Sequence, residues 1–261
     1  MIDFSKLNCE IIDAHIHPAV SIEGSDFSSF KFTTPPEQLV STLKRAGITR
    51  AAGSVIRRFK TKPLWSELHQ LNLAALELQK AYPEFYIPGI HIHPDYVPES
   101  LAEIESMHRS GVKLIGELVA YLMGYESYSV PELNDVWALA QELEMTVNIH
   151  CLLEDAANLL KNFPELKLIV AHPTSSNAEY TSRLELVAKY PNAALDISGS
   201  GPNTWHMLRH GIRTAGKDKL IFGTDFPLRN PGMYVAGVCF EELSDAERQA
   251  IFSENFKRLL K

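Results

Sequence analysis

Cysteine is scarce in this chain: three among 261 residues, at Cys9, Cys151 and Cys239. An odd, scattered set builds no disulfide framework and points to a reducing cytoplasm. No apolar run approaches the ~18–20 residues that a membrane-spanning helix needs. No basic stretch followed by an apolar one opens the sequence, so a secretory signal is not expected. Positive charge is also thin, with 25 Lys plus Arg against 32 Asp plus Glu and a formal charge of −7. The basic doublet Arg57-Arg58 is no footprint for nucleic acid, and a nuclease is disfavoured on the same ground. The expected partner is a small molecule; oligomeric state stays open, a homo-oligomer included. No Gly-x-Ser-x-Gly elbow occurs, so a serine hydrolase finds no support.

What is present is alternation. Hydrophobic residues make up 45% of the chain, gathered into short β-rich runs separated by longer helix-like segments. The expected strands are Ile11–His17, Arg50–Ile56, Phe85–His93, Val112–Val119, Met145–Cys151, Lys167–His172, Ala193–Ser198 and Lys219–Asp225. Helices are expected between them and over Asp245–Leu260, with Gly47, Gly111 and Gly216 as stops. Runs such as Leu168-Ile169-Val170-Ala171 are apolar on both faces, as helix-covered parallel strands are. Eight strand–helix units without a composition break predict an α/β protein, a single-domain (β/α)₈ barrel over residues 1–261. An open doubly wound sheet is the alternative, but no Gly-x-Gly-x-x-Gly follows the first strand. The polar, Phe-bearing loop Ala19–Thr34 reads as a lid or as a plain surface excursion.

Barrel enzymes carry their chemistry at the C-terminal strand ends, and metal-competent side chains collect there. His15 and His17 end the first strand in Asp13-Ala14-His15-Ile16-His17-Pro18. Read as one extended segment, Asp13, His15 and His17 share a face, opposite Ile12, Ala14 and Ile16. Two adjacent imidazoles form a pincer for a divalent metal. Glu117 lies near the end of the fourth strand, His150 ends the fifth, His172 the sixth, and Asp225 the eighth. Asp13 and Asn148, one layer deeper, are expected to orient ligand imidazoles.

His91-Ile92-His93-Pro94 repeats the same spacing, so spacing alone is not diagnostic; substrate contact or a structural role is expected there. His69, His108 and His210 fall in helical segments and read as solvated or satisfied residues. Cys151 reads as a small core residue.

These residues resemble the amidohydrolase superfamily, in particular its amidohydrolase-related branch of hydrolases and non-oxidative decarboxylases. The likeness rests on Asp13-Ala14-His15-Ile16-His17, Gly116-Glu117-Leu118, Val147-Asn148-Ile149-His150, Val170-Ala171-His172-Pro173 and Leu220–Pro227, with Asn255 in the closing helix. The resemblance implies that His15, His17 and Asp225 hold the more buried metal. It further implies that His150 and His172 bind a second metal, or that His172 positions substrate in a one-metal site. Many relatives bridge two metals with a carboxylated lysine on the fourth strand; Glu117 stands at that rim here, and Lys113 lies too deep. One or two ions are expected, Zn²⁺ first and Mn²⁺ as the alternative.

Metal-activated water with Asp225 as general base, and His172 polarising the carbonyl, would hydrolyse an amide, lactone or ester. The same site would serve decarboxylation if Arg57 or Arg58 received a substrate carboxylate and Tyr121 or Tyr125 stacked on its ring. A catalytically silent metal-binding scaffold is the third reading.

Overall fold

The computed structural model describes residues 9–19, 34–59 and 61–261. The expected lid over residues 19–34 lies almost entirely outside them. Eight parallel strands run in chain order: β1 (Ile12–Asp13), β2 (Arg50–Ser54), β3 (Tyr86–Ile90), β4 (Leu114–Val119), β5 (Thr146–His150), β6 (Lys167–Val170), β7 (Ala193–Asp196) and β8 (Leu220–Ile221). The covering helices include α1 (Pro36–Arg45), α2 (Trp65–Ala81), α3 (Val97–Arg109), α4 (Ala120–Met123), α5 (Asn134–Glu142), α6 (Leu153–Asn162), α7 (Asn177–Ala188) and α8 (Met207–Ala215). After β8 come α9 (Pro231–Phe240), α10 (Asp245–Gln249) and α11 (Asn255–Leu259). This is the predicted (β/α)₈ barrel. Among the described residues no helix is long and apolar enough to cross a membrane.

Two apolar layers explain why the strands are greasy on both sides. Ile12, Ala14, Ala52, Ile87, Leu114, Ile169, Ala194 and Ile221 come from seven strands and pack together with Phe256 and Leu259. Side chains from that many strands meet only inside the barrel, so this cluster is its floor, plugged by α11. The second layer joins outward residues such as Ile115, Val147, Leu168 and Leu195 to helix residues such as Leu43, Ala75, Trp137 and Leu184. Each such aliphatic side chain, fully buried, contributes roughly 1.5–3 kcal/mol. Asn255 ties α11 to the barrel by donating to the carbonyls of Lys217 and Leu220, both at 2.8 Å.

The ring closes between β8 and β1 through hydrogen bonds beyond the short strands. Ala14 N donates to Phe222 O, Asp225 N to His15 O and His17 N to Phe226 O, at 2.7–2.9 Å. Here the expected face assignment is corrected. Ile12 and Ala14 point to the floor, whereas Ile11 and Ile16 belong to the outer layer. β1 stops at Asp13, whose Oδ1 accepts the His15 amide at 3.1 Å. That local turn, an aspartate capping the backbone two residues on, breaks the period-2 alternation.

Candidate metal centre

Six histidine and carboxylate side chains meet above the floor. His15 Nε2 and His17 Nε2 stand 3.2 Å apart. Glu117 Oε2 is 3.2 Å from the first and 3.1 Å from the second. Asp225 Oδ1 lies 3.5 Å from His17 Nε2 and 3.9 Å from His15 Nε2. On the other side, Glu117 Oε1 faces His172 Nε2 at 3.2 Å and His150 Nδ1 at 3.5 Å. His15, His17 and Glu117 are almost wholly buried, while His150 is the most open of the set. All six expected site residues are thus brought to one place.

Local structure sets each aim. Gly116 has φ 97°, and a Cβ there would sit 2.2 Å from the Asn148 carbonyl oxygen, so only glycine lets β4 close on β5 beside Glu117. Gly199 (φ 67°) passes beneath the His172 ring, where a Cβ would lie 2.5 Å from Nδ1. Among the described residues four non-glycines have positive φ, and two of them are His172 (65°) and Asp225 (62°). Such backbone costs of order 1 kcal/mol or more and gathers at functional sites.

The hydrogen bonds behind the rings decide where their protons are. His15 Nδ1 donates to Asp196 Oδ2 at 2.8 Å and His17 Nδ1 to the Ser54 carbonyl at 3.3 Å. A neutral ring that donates through Nδ1 presents a lone pair at Nε2. Two imidazole lone pairs and the oxygens of Glu117 and Asp225 therefore crowd one small volume. Glu117 Oε1 is buried, and its imidazole neighbours make no hydrogen bond to it. Converging acceptors repel unless a cation stands among them. Tetrahedral coordination at ~2.0–2.1 Å spaces donors about 3.3 Å apart, close to the separations observed. The residues fit a divalent metal, and mixed nitrogen and oxygen donors suit zinc and manganese alike.

Electrostatics point the same way. Burial alone would push the His15 pKa down, but the Glu117 and Asp196 carboxylates overcome it and hold the ring well above its ordinary range. Burial likewise opposes ionisation of Glu117, yet the surrounding imidazoles, His15 foremost, hold it well below the usual carboxylate value. Asp196 is held at about 2 against its own burial by His15, His172 and Ser198. A cluster that so strongly attracts a proton attracts a cation to the same spot.

Other expectations fare differently. Asp13 does not orient an imidazole: it accepts from Thr224 N and Oγ1 at 3.0 and 2.5 Å, clasping β1 to the loop after β8, and burial lifts its pKa to about 7. Asn148 lies beneath His150 with neither amide atom hydrogen-bonded, so it does not hold that ring through a direct bond. Lys113 reaches the Lys261 carbonyl, away from the rim, as expected. His91 Nε2 donates to Val55 O at 2.8 Å and His93 Nε2 to Met123 O at 3.0 Å, so the second pair is structural. Cys151 is buried in the outer layer, its thiol pushed up to about 12 by burial. Arg57 pairs with Glu67 and lies over Phe59. Tyr121 is exposed and sets its edge on His150 with centroids 5.5 Å apart, whereas Tyr125 packs on His93 and Tyr128.

Asp196 and Ser198 are the residues that sequence reasoning passed over. Their signal was available: polar residues at alternate positions closing an apolar strand, between the strands of His172 and Asp225.

A family model described as amidohydrolase matches residues 12–261. None of the curated proteins matches the chain. Among solved structures, a 5-carboxyvanillate decarboxylase from Novosphingobium aromaticivorans with bound manganese aligns at TM-score 0.78 and 13% identity, covering 98% of each chain. A 2,6-dihydroxybenzoate decarboxylase from Rhizobium aligns at 0.74 and 13%, covering 97% of this chain and 98% of that one. A dihydroxybenzoic acid decarboxylase from a Polaromonas species, with manganese and 2-nitroresorcinol, aligns at 0.72 and 14%, covering 97% of each. Identities this low speak for the shared barrel.

Proposed function

The chain belongs to the amidohydrolase family, and from that premise we propose that it is a metal-dependent hydrolase of a small amide, lactone or ester. His15, His17 and Asp225 would hold one cation, His150 and His172 a second, with Glu117 between them and Zn²⁺ or Mn²⁺ as the ion. The observation that carries this reading is the aim of Glu117, one carboxylate oxygen turned to each histidine pair. A carboxylate shared by two cations belongs to metal-assisted hydrolysis, where paired ions brace attacking and leaving oxygens.

When bound, the cation supplies a water acidified from 15.7 toward about 7 and a polarised carbonyl. The remaining work falls to side chains. Asp225, more open than Glu117, takes the proton of the attacking water and returns it to the leaving nitrogen or oxygen. The water oxygen bonds to the carbonyl carbon as the carbon–nitrogen or carbon–oxygen bond breaks. Asp196 keeps the His15 proton on Nδ1 throughout, and if a single cation is held, His172 is free to polarise the substrate carbonyl. The substrate is a small molecule and the setting cytoplasmic on this proposal.

Decarboxylation is the second reading, and it too has support. The decarboxylases above share the fold end to end, and the charge of exposed Arg58 partly offsets the burial that lifts the Tyr121 hydroxyl above its ordinary pKa. The test is to load the protein with Zn²⁺ or Mn²⁺ and assay lactones, amides and esters beside hydroxybenzoates. Hydrolysis in proportion to metal content is expected. Release of CO₂ without hydrolysis would replace this proposal by decarboxylation; retained metal with neither activity would favour the scaffold.

A further inference from the structure

Behind the two histidine pairs lies a relay whose serine the hydrolytic reading does not use. Asp196 sits at the end of β7, fully buried, and Ser198 follows two residues later, also fully buried. Asp196 Oδ1 accepts from three donors: Ser198 N at 2.9 Å, Ser198 Oγ at 2.5 Å and His172 N at 3.1 Å. Ser198 Oγ in turn lies 2.9 Å from His172 Nδ1 and 3.0 Å from His15 Nδ1.

Counting protons removes the ambiguity. An ionised carboxylate only accepts, so the single hydroxyl proton of Ser198 is committed to Asp196. Ser198 Oγ then has only lone pairs for His172, and the proton between them must be on His172 Nδ1. Neutral His172 is thereby left with a lone pair at Nε2, aimed at the orphaned Glu117 Oε1 3.2 Å away. Without Ser198 the opposite tautomer becomes equally available, with an N–H donated to Glu117 in place of a lone pair. Gly199, whose backbone runs under the ring, limits how His172 can reorient.

We infer that Ser198 is the positioning residue of the second cation site: with Asp196 it locks His172 in the Nδ1–H tautomer that presents Nε2 to a metal. The inference rests on the two-cation reading above. His15 has its own bond to Asp196, so the first site does not depend on the serine. Loss of such outer hydrogen bonds typically costs about 10–100-fold in metal affinity.

The test is Ser198→Ala, with Ser198→Thr retaining the hydroxyl. Chelator-stripped protein is titrated with Mn²⁺ and bound metal counted, while two-bond ¹H–¹⁵N spectra of the histidine rings report the tautomers. In Ser198→Ala the second equivalent is expected to weaken about 10–100-fold with the first unchanged, and His172 to lose its pure Nδ1–H signature. Restoration in Ser198→Thr supports the role. Unchanged binding of both equivalents, equal weakening of both, or an unchanged His172 tautomer would overturn it. Should the wild-type protein bind a single equivalent, the two-cation reading fails by itself, and with it the metal role of Ser198; the ring spectra then still show whether the serine fixes the tautomer. Thermal melts of both variants separate these outcomes from misfolding.

Discussion

The chain writes His-Ile-His-Pro twice, at residues 15–18 and 91–94, and puts the two copies to different uses at the same end of the barrel. Both follow a barrel strand and all four imidazoles are buried. In the first copy the Nδ1 atoms are bonded to Asp196 and Ser54, which leaves both Nε2 atoms to converge at 3.2 Å. In the second copy each Nε2–H is given to a backbone carbonyl, of Val55 or Met123, and Asp95 N donates to His93 Nδ1. The difference is not in the motif but in which ring nitrogen finds an acceptor behind it. A metal pincer needs its outer nitrogens held so that its inner ones are left bare.

The hardest break of this comparison is to damage the first pair and its closing carboxylate. Asp225→Asn keeps the shape but gives up the base, and is expected to lower kcat/KM at least ~10³-fold while the thermal melt stays near wild type. His17→Ala is expected to act as strongly and to remove bound metal, measurable by elemental analysis. Near-normal turnover in metal-loaded Asp225→Asn would refute the role assigned to that residue.

The barrel was legible because its physics is repeated eight times: apolar runs bounded by glycine and proline, each followed by an amphipathic segment. Strand lengths were less so. Lys219–Asp225 was expected as strand, yet β8 is only Leu220–Ile221, because Thr224 and Asp225 bond to Asp13 and His15 across the seam rather than along a ladder. α9 went unread, since Gly232 and Gly237 and the valines of Pro231–Phe240 are poor helix formers, although Asn230 accepts from Gly232 N at its start. The rim ligands were readable as residue types at strand ends. The switch of face at Asp13 was not, since it depends on the amides of His15 and Thr224 that its carboxylate meets; the polar alternation of Asp196 and Ser198 marked their place, but not the rings of His15 and His172 that they support.

A milder break uses acid. Burial, with His17 nearby, drives the His91 pKa down to about 4 from 6.5, outweighing the bond to Val55. The unfolded chain therefore takes up a proton near pH 6.5 that the folded chain refuses until about 4, and stability from this ring is present above 6.5 and lost on the way down. That difference is worth about 3 kcal/mol. His15 has the opposite sign: its raised value stabilises the stripped protein below 6.5 and fades as pH rises through the folded value. In chelator-stripped protein, His91→Gln is expected to lose roughly that much of the decline in unfolding free energy between pH 6.5 and 4. An acid limb identical to wild type would show that His91 is not held neutral.

The gentlest test sharpens the contrast by leaving the ring in place without its nitrogens. His93→Phe retains the aromatic packing on Tyr96 and Tyr125, with centroids at 5.2 Å in the native ring. It removes the donor to the buried Met123 carbonyl, while Asp95 N, on an exposed residue, can turn to water. One unsatisfied buried acceptor predicts a loss of about 1–2 kcal/mol in urea unfolding, with metal content and kcat/KM unchanged. A fall in bound metal would mean that the second copy reaches the cation after all, and that the two motifs differ in degree rather than in kind.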